Sequence, residues 1–204
     1  MEPGDATAVH AAVLAAGPST RFGSPKQLVR LGGAPVLHQC VAKASCIAGG
    51  SVTVVIGAHA REIAPTLRQT SASIALNREW DEGLASSVRT AVRTAPTRCE
   101  ALLLLLASQV AVTADDLRRL HVVWRRHPVL IGAALHGGRP GLPAIFPRWA
   151  FGDLLELRGD RDPGPVLRRN IDRVVRVPMS NAGISLETPE DLLVLSARDD
   201  GALS

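Results

Sequence analysis

Aromatic residues are scarce in this chain of 204 residues, which has three tryptophans, three phenylalanines and no tyrosine. None stands between basic clusters, where nucleic acid would need stacking platforms, so the net charge of +4 is not read as a nucleic-acid footprint. Anionic small molecules such as nucleotides are the simpler partners for a surface made basic by scattered arginines. Cysteine is scarce too. Cys40, Cys46 and Cys99 form an odd set without CxxC spacing, which argues against a disulfide framework or a zinc site and fits a reduced, cytoplasmic setting. Long apolar runs are missing: Ala101 to Ala107 is the longest, far short of the roughly 20 residues a membrane-spanning helix needs. The opening MEPGDAT has no basic or apolar leader pattern, so no export signal is expected. No linker, low-complexity tract or repeat divides the chain, and the expectation is one soluble domain over residues 1–204 with an ordered core from about 8 to 198.

What is present alternates. His10 to Ala16 is an apolar run rich in small and β-branched residues that reads as a strand, Ser51 to Ile56 is a β-branched run of the kind buried on both faces, and Ala101 to Ala107 is the most apolar, hence central, strand. Between them Pro35 to Ala48, Arg61 to Arg68 and Ala85 to Ala95 have helical spacing, with Gly49 and Gly50 ending the first. Ser73 to Leu76 reads as a brief strand. Thr113 is a candidate N-cap for an amphipathic helix from Ala114 to Arg126, with Asp115 and Asp116 in its first turn, and Val129 to Leu135 reads as the next strand. Farther on, Gly137 to Pro143 reads as a loop, Ala144 to Phe146 as extended, and Trp149 to Leu157 as a helix. Val166 to Asn170 reads as helical, Arg173 to Val177 as a strand and Pro189 to Ala197 as a closing helix. The pattern predicts an α/β three-layer domain with a mostly parallel, Rossmann-like sheet whose crevice lies beyond the strand carboxyl ends.

One stretch concentrates the chemistry: VHAAVLAAGPSTRFGSPK, Val9 to Lys26. A strand here delivers a loop in which glycines allow close backbone approach to an anion and Arg21 and Lys26 bring charge for a polyphosphate. It has neither the GxGxxG spacing of a dinucleotide fold nor the Gly-Lys-Ser/Thr ending of a Walker loop. It resembles the LAAGxSxRxGxxKxL signature of the MobA-like nucleotidyltransferases, met here by Leu14, Ala15, Ala16, Gly17, Ser19, Arg21, Gly23, Lys26 and Leu28.

The resemblance extends to molybdenum cofactor cytidylyltransferases, the MocA branch. Asn77, Trp80, Glu82, Gly83, Ser86, Ser87 and Arg89 resemble its NPxWxEGxxSSxR segment. Gly141, Pro143 and Phe146 resemble its GxPxxF loop, Gly159 and Asp160 the start of GDxGAR, and Thr188 to Leu192 its TPEDL helix start. What this implies is a nucleotide-diphospho-sugar transferase fold, transfer of CMP from CTP to a molybdopterin acceptor with release of pyrophosphate, and Mg2+ as cofactor. Lys26 and Arg21 are then the catalytic pair; Leu14, Ala15, Ala16, Gly17, Ser19, Gly23, Asn77, Gly83 and Ser86 join them in holding nucleotide. The paired alanines go with CTP, and a molybdoenzyme of the xanthine dehydrogenase type is the implied protein partner.

Three departures fall at acidic or loop positions. Where the family has the metal-binding Asp of Asp-Gln-Pro, this chain has Ser108; its Asp-Ile-Asp is Ser185, Leu186, Glu187; and the third loop runs Gly159 to Pro165 without Gly-Ala-Arg. A hydroxyl is a poorer magnesium ligand than a carboxylate. Either Glu187 with Asp160 or Asp162 supplies the metal site, or the chain is a nucleotide-binding chaperone for a molybdoenzyme that transfers poorly or not at all. A lesser alternative is an NAD(P)H-dependent quinone-dye oxidoreductase on the same fold, although no nicotinamide pocket is specified. A sugar phosphate is an alternative acceptor. The six histidines show no metal pairing and read as surface or helix-end residues, the cysteines as small core residues, and Trp80 equally as ligand wall or core cover.

Overall fold

The computed structural model describes residues 9–201, so the opening MEPGDAT lies outside the described residues. In chain order the elements are β1 (Val9–Ala15), β2 (Arg30–Leu31), β3 (Ala34–Pro35), α1 (Val36–Ala48), β4 (Val52–Ile56), α2 (Ala60–Leu67), β5 (Ser73–Leu76) and α3 (Leu84–Thr94). They continue with β6 (Ala101–Leu106), α4 (Ala114–Arg125), β7 (Ile131–His136), β8 (Arg139–Pro147), α5 (Phe151–Leu155), α6 (Gly164–Arg169), β9 (Val174–Pro178) and α7 (Pro189–Gly201). Seven strands form one sheet in the order β5-β4-β1-β6-β8-β7-β9, parallel except for β8, which runs against both neighbours. A separate two-residue ribbon pairs β2 with β3.

β1 shows why this sheet needs two helical layers. All seven residues are buried, and their alternation sends Ala11, Val13 and Ala15 to one face and Ala12 and Leu14 to the other. The first face is covered by α1 through Leu37, Val41 and Ala44, by α2 through Ile63 and Leu67, and by α4 through Leu117, Leu120 and Trp124. The second is covered by α3 through Ala85, Val88 and Ala91, by α5 through Leu154 and by α6 through Val166 and Leu167. A third cluster of Leu31, Val36, Val110, Leu186 and Leu195 docks the last segment beside the ribbon. That cluster decides where Glu187 lies.

Elements expected from the sequence differ mainly at the start of the last third. Gly137 to Pro143 is no loop: Gly137 and Gly138 make a tight turn at positive φ, and Arg139 onward is strand β8, offset by a bulge between Ala133 and Ala134. Gly141 and Pro143 disguised that strand, although it lies between β6 and β7. The expected helix from Trp149 to Leu157 shortens to a 3-10 turn followed by α5. Thr113 does cap α4, in a reciprocal bond set with Asp116. His10 is neither surface nor helix-end: its ring is buried in β1, with Nδ1 2.8 Å from Ser51 Oγ and Nε2 3.0 Å from Thr53 Oγ1. Cys46 is exposed, whereas Cys40 and Cys99 are core. No helix among the described residues is long and apolar enough to cross a membrane.

Candidate functional site

β1, β4 and β6 end level with one another, with Leu14 opposite Leu106 and Ala15 opposite Ile56. The loops leaving these strands border a cleft of about 500 Å³. Leu14, Ala15, Ala16, Gly17, Ser19, Arg21, Lys26, Gly83, Ser108, Asp160 and Glu187 all line it, so segments as distant in sequence as Leu14 and Glu187 border one cleft.

The loop after β1 is electrically one-sided. Each carbonyl from Ala15 to Ser19 accepts a hydrogen bond from the protein: Ala15 O from Gln27 Nε2 at 2.9 Å, Ala16 O from Ala58 N at 3.0 Å and Gly17 O from Gln27 Nε2 at 3.2 Å. Pro18 O accepts from His59 Nε2 at 2.9 Å, and Ser19 O from the amides of Phe22 and Gly23 at 2.9 and 3.1 Å. The amides of Gly17, Ser19, Thr20 and Arg21 have no acceptor among the described residues. A trans peptide directs its C=O and N–H oppositely, so carbonyls held inward leave N–H groups for a ligand. Ser19 sits at φ 54, a left-handed position uncommon outside glycine.

Two cations stand at this loop. Arg21 is mostly exposed; Lys26 has only 16% of its side chain exposed. Both reach Glu187 Oε2, Arg21 Nη2 at 3.1 Å and Lys26 Nζ in a closer contact. Glu187 is held by its backbone: Leu186 N donates to Ser108 O at 2.8 Å, and Asp191 Oδ2 accepts from the amides of Glu187 and Thr188 at 2.9 and 2.8 Å. Those two amides keep the Asp191 carboxyl below its usual range.

The opposite wall is the start of α3. Arg89, 4% exposed, spans Glu82, Glu79 and Leu157 O, and Glu82 Oε1 also accepts from Gly159 N at 3.0 Å. The Arg89 hydrogen bond, aided by that amide, holds the Glu82 carboxyl at about 2. Asp160 is thus latched over the helix, where its Oδ1 accepts from Leu84 N at 3.2 Å. Trp80 lines the cleft and packs on the second core.

Three residues expected to hold nucleotide are placed otherwise. Asn77 and Ser86 are sealed at 2% and 1% exposure and bond to each other, Asn77 Nδ2 donating to Ser86 Oγ at 2.8 Å and to Ser87 Oγ at 3.1 Å. They pin α3 to the end of β5, and Ser87 faces the cleft instead. Gly23 makes the turn at φ 79 and is not part of the cleft wall. Gln27 was missed by the sequence reading, since an uncharged residue between Lys26 and Leu28 carries no signal of its own. Gln109 was missed likewise; it ties the end of β6 to Leu142 O and Ala182 O at 2.7 and 2.8 Å.

The divalent ion that the resemblance implies finds no ready set of protein donors. No group of three or more His, Cys, Asp or Glu able to hold a metal occurs among the described residues. Of the cleft carboxylates, Glu187 is engaged by two cations and Asp160 by an amide, while Ser108 offers a neutral hydroxyl. These residues form no all-protein cage, and an ion bound by one or two of the carboxylates would need substrate phosphates to complete its shell.

Fold and cleft together are those of an α/β nucleotidyltransferase domain. The chain belongs to the MobA-like NTP transferase domain family, whose pattern matches residues 11–174. No protein of curated function matches it in sequence. Among solved structures, Rv0371c from Mycobacterium tuberculosis H37Rv is 24% identical, aligning 95% of this chain with 100% of that one at a TM-score of 0.78. That protein also has a structure in complex with manganese, 24% identical over 94% of this chain and 99% of that one, with a TM-score of 0.74. A homolog of Rv0371c from Mycobacterium sp. strain JC1 is 27% identical over 94% of this chain and 96% of its own, with a TM-score of 0.73. Molybdopterin-guanine dinucleotide biosynthesis protein A from Archaeoglobus fulgidus is 16% identical over 94% and 99%, with a TM-score of 0.67.

Proposed function

We propose that this chain transfers CMP from CTP to the phosphate of a molybdopterin-type acceptor. The observation that carries the reading is the one-sided loop: its carbonyls from Ala15 to Ser19 are tied to the protein, the amides of Gly17, Ser19, Thr20 and Arg21 have no acceptor among the described residues, and Lys26 and Arg21 stand beside it. Such a surface takes a triphosphate. Leu14 to Gly17 border the base and ribose, and the paired alanines at 15 and 16 favour CTP. An acceptor phosphate oxygen attacks the α-phosphorus; the new P–O bond forms as the α–β P–O bond breaks, and pyrophosphate leaves with the electron pair. Lys26 and Arg21 offset the charge that builds on the phosphoryl oxygens and the leaving group. Magnesium enters with the substrate, carried on the phosphates of CTP.

The test is pyrophosphate release from CTP in the presence of molybdopterin, alongside calorimetric titration with CTP and GTP. Lys26→Ala is expected to lower turnover roughly 100- to 1000-fold, the usual loss for one preorganised electrostatic stabiliser. Unchanged turnover and CTP affinity in that variant would sink the assignment. A second reading draws on Ser108 in place of a carboxylate and on the engagement of Glu187: a nucleotide-binding partner of a molybdoenzyme, without efficient transfer. It predicts that the wild-type protein binds CTP yet releases no pyrophosphate with any acceptor.

A further inference from the structure

We infer that Gln27 is the positioning residue of the nucleotide grip, setting which side of the β1 loop is positive. The inference rests on the nucleotide reading above and deepens it. Gln27 is 2% exposed, on a single 3-10 turn from Lys26 to Leu28. Its one side-chain amide reaches three points of the loop. Nε2 donates to Ala15 O and Gly17 O, and Oε1 accepts from Ser19 Oγ at 3.2 Å. Ser19 Oγ in turn accepts from Lys26 N at 3.4 Å, so the same cluster ties the loop to the backbone of the buried cation.

Each bond acts on what the cleft presents. Holding Ala15 O inward turns the Ala16 N–H the other way, because the two groups of a trans peptide are opposed. Gly17 O is followed by Pro18, which has no N–H, so that peptide can offer a phosphate only a repelling carbonyl. Gln27 keeps this carbonyl turned away. The Ser19 bond steadies a residue whose left-handed φ has no glycine to ease it. Without the side-chain amide, two carbonyls that other groups do not satisfy would turn toward the water in the cleft, where the triphosphate has to lie.

Two substitutions test this with CTP as the probe. Gln27→Met keeps length and burial but offers no donor; it is expected to weaken CTP binding about 10- to 100-fold, the range for leaving buried carbonyls unpaired. Gln27→Glu carries a readout that a merely structural role would not move. Buried against two carbonyl oxygens, the introduced carboxyl titrates above the ordinary range of about 4.3. Ionised at pH 8 it repels both carbonyls; protonated near pH 5.5 its O–H donates to one of them. The CTP affinity of Gln27→Glu, taken as a ratio to wild type at each pH, is therefore expected to recover at least about fivefold between pH 8 and pH 5.5. Taking the ratio cancels the titration of CTP itself. If Gln27→Met fails to fold, the pH profile of Gln27→Glu decides alone. Wild-type affinity in both variants, or a ratio that does not move with pH, overturns the inference while leaving the nucleotide reading in place. Wild-type protein that binds no CTP overturns both.

Discussion

Glu187 has the position of an internal anion. Its carboxylate takes both cations of the β1 loop, one largely buried, and so competes with any phosphate for them. Glu187→Gln keeps the shape and removes the charge. The pair with Arg21 is well solvated and contributes little, so the effect is set by Lys26 and stays modest. Pyrophosphate affinity, titrated calorimetrically without divalent ions, is expected to rise about three- to tenfold in this variant. A fall in affinity would mean that Glu187 supports the ligand rather than opposing it. Ser108 explains why the competition can occur. Its carbonyl carries Leu186 and hence Glu187 into the cleft, and its uncharged side chain adds no negative charge there.

At the scale of elements, the two walls of the cleft are joined to the core by different means. The β1 wall continues a strand buried on both faces, whereas the α3 wall depends on Gly83 and the Arg89 cluster. A Cβ on Gly83 would lie 2.6 Å from Asp160 Cα and 2.7 Å from Asp160 N, and the residue sits at φ 112. Backbone cannot give way as a side-chain tip can. Gly83→Ala is therefore expected to cost about 2–4 kcal/mol and to lower Tm by about 5–10 °C. Gly17→Ala is the control, since a Cβ there meets nothing within 4 Å and φ is not left-handed, and it is expected to shift Tm by under about 1 °C. Equal shifts in calorimetric scans of the two variants would refute the latch. The same contrast shows what was legible beforehand. β1, β4 and β6 announced themselves because strands buried on both faces must be continuously apolar, and the β1 loop did so through its spacing of glycine, arginine and lysine. β8 was hidden because Gly141 and Pro143 imitate a loop. Asn77 and Ser86 belong to the ligand by the motif they resemble, and only packing shows that their side chains bond to each other. Gln27 could not be found from residue type at all, since its role depends on which carbonyls the fold brings within reach.

The whole molecule carries its titratable groups in a way that dictates how it fails in acid. His10 is kept neutral below its ordinary range by burial, and His121 by burial and then by Arg125. The unfolded chain takes up these protons below about 6.5 while the folded chain does not, so stability begins to fall as pH drops through that value. The carboxyls act lower. Glu82 titrates near 2 because of Arg89, Asp191 is lowered by two amides, and Asp116 is lowered by Asn181 and Thr113 although burial alone would raise it. Their contribution is complete above the unfolded carboxylate range and is lost from about pH 4.5 downward. Urea midpoints measured from pH 8 to pH 3 are therefore expected to fall in two stages, a shallow one below about 6.5 and a steeper one below about 4.5. His10→Gln separates the stages, because a neutral amide can still meet Ser51 or Thr53 while nothing remains to protonate in the unfolded chain. The variant should be less stable at pH 8, through imperfect packing, yet show a flatter first stage with the second intact. A first stage of undiminished slope in His10→Gln would place its origin elsewhere than in the strand that carries the nucleotide loop. A flattened slope would tie acid sensitivity and ligand grip to opposite ends of β1.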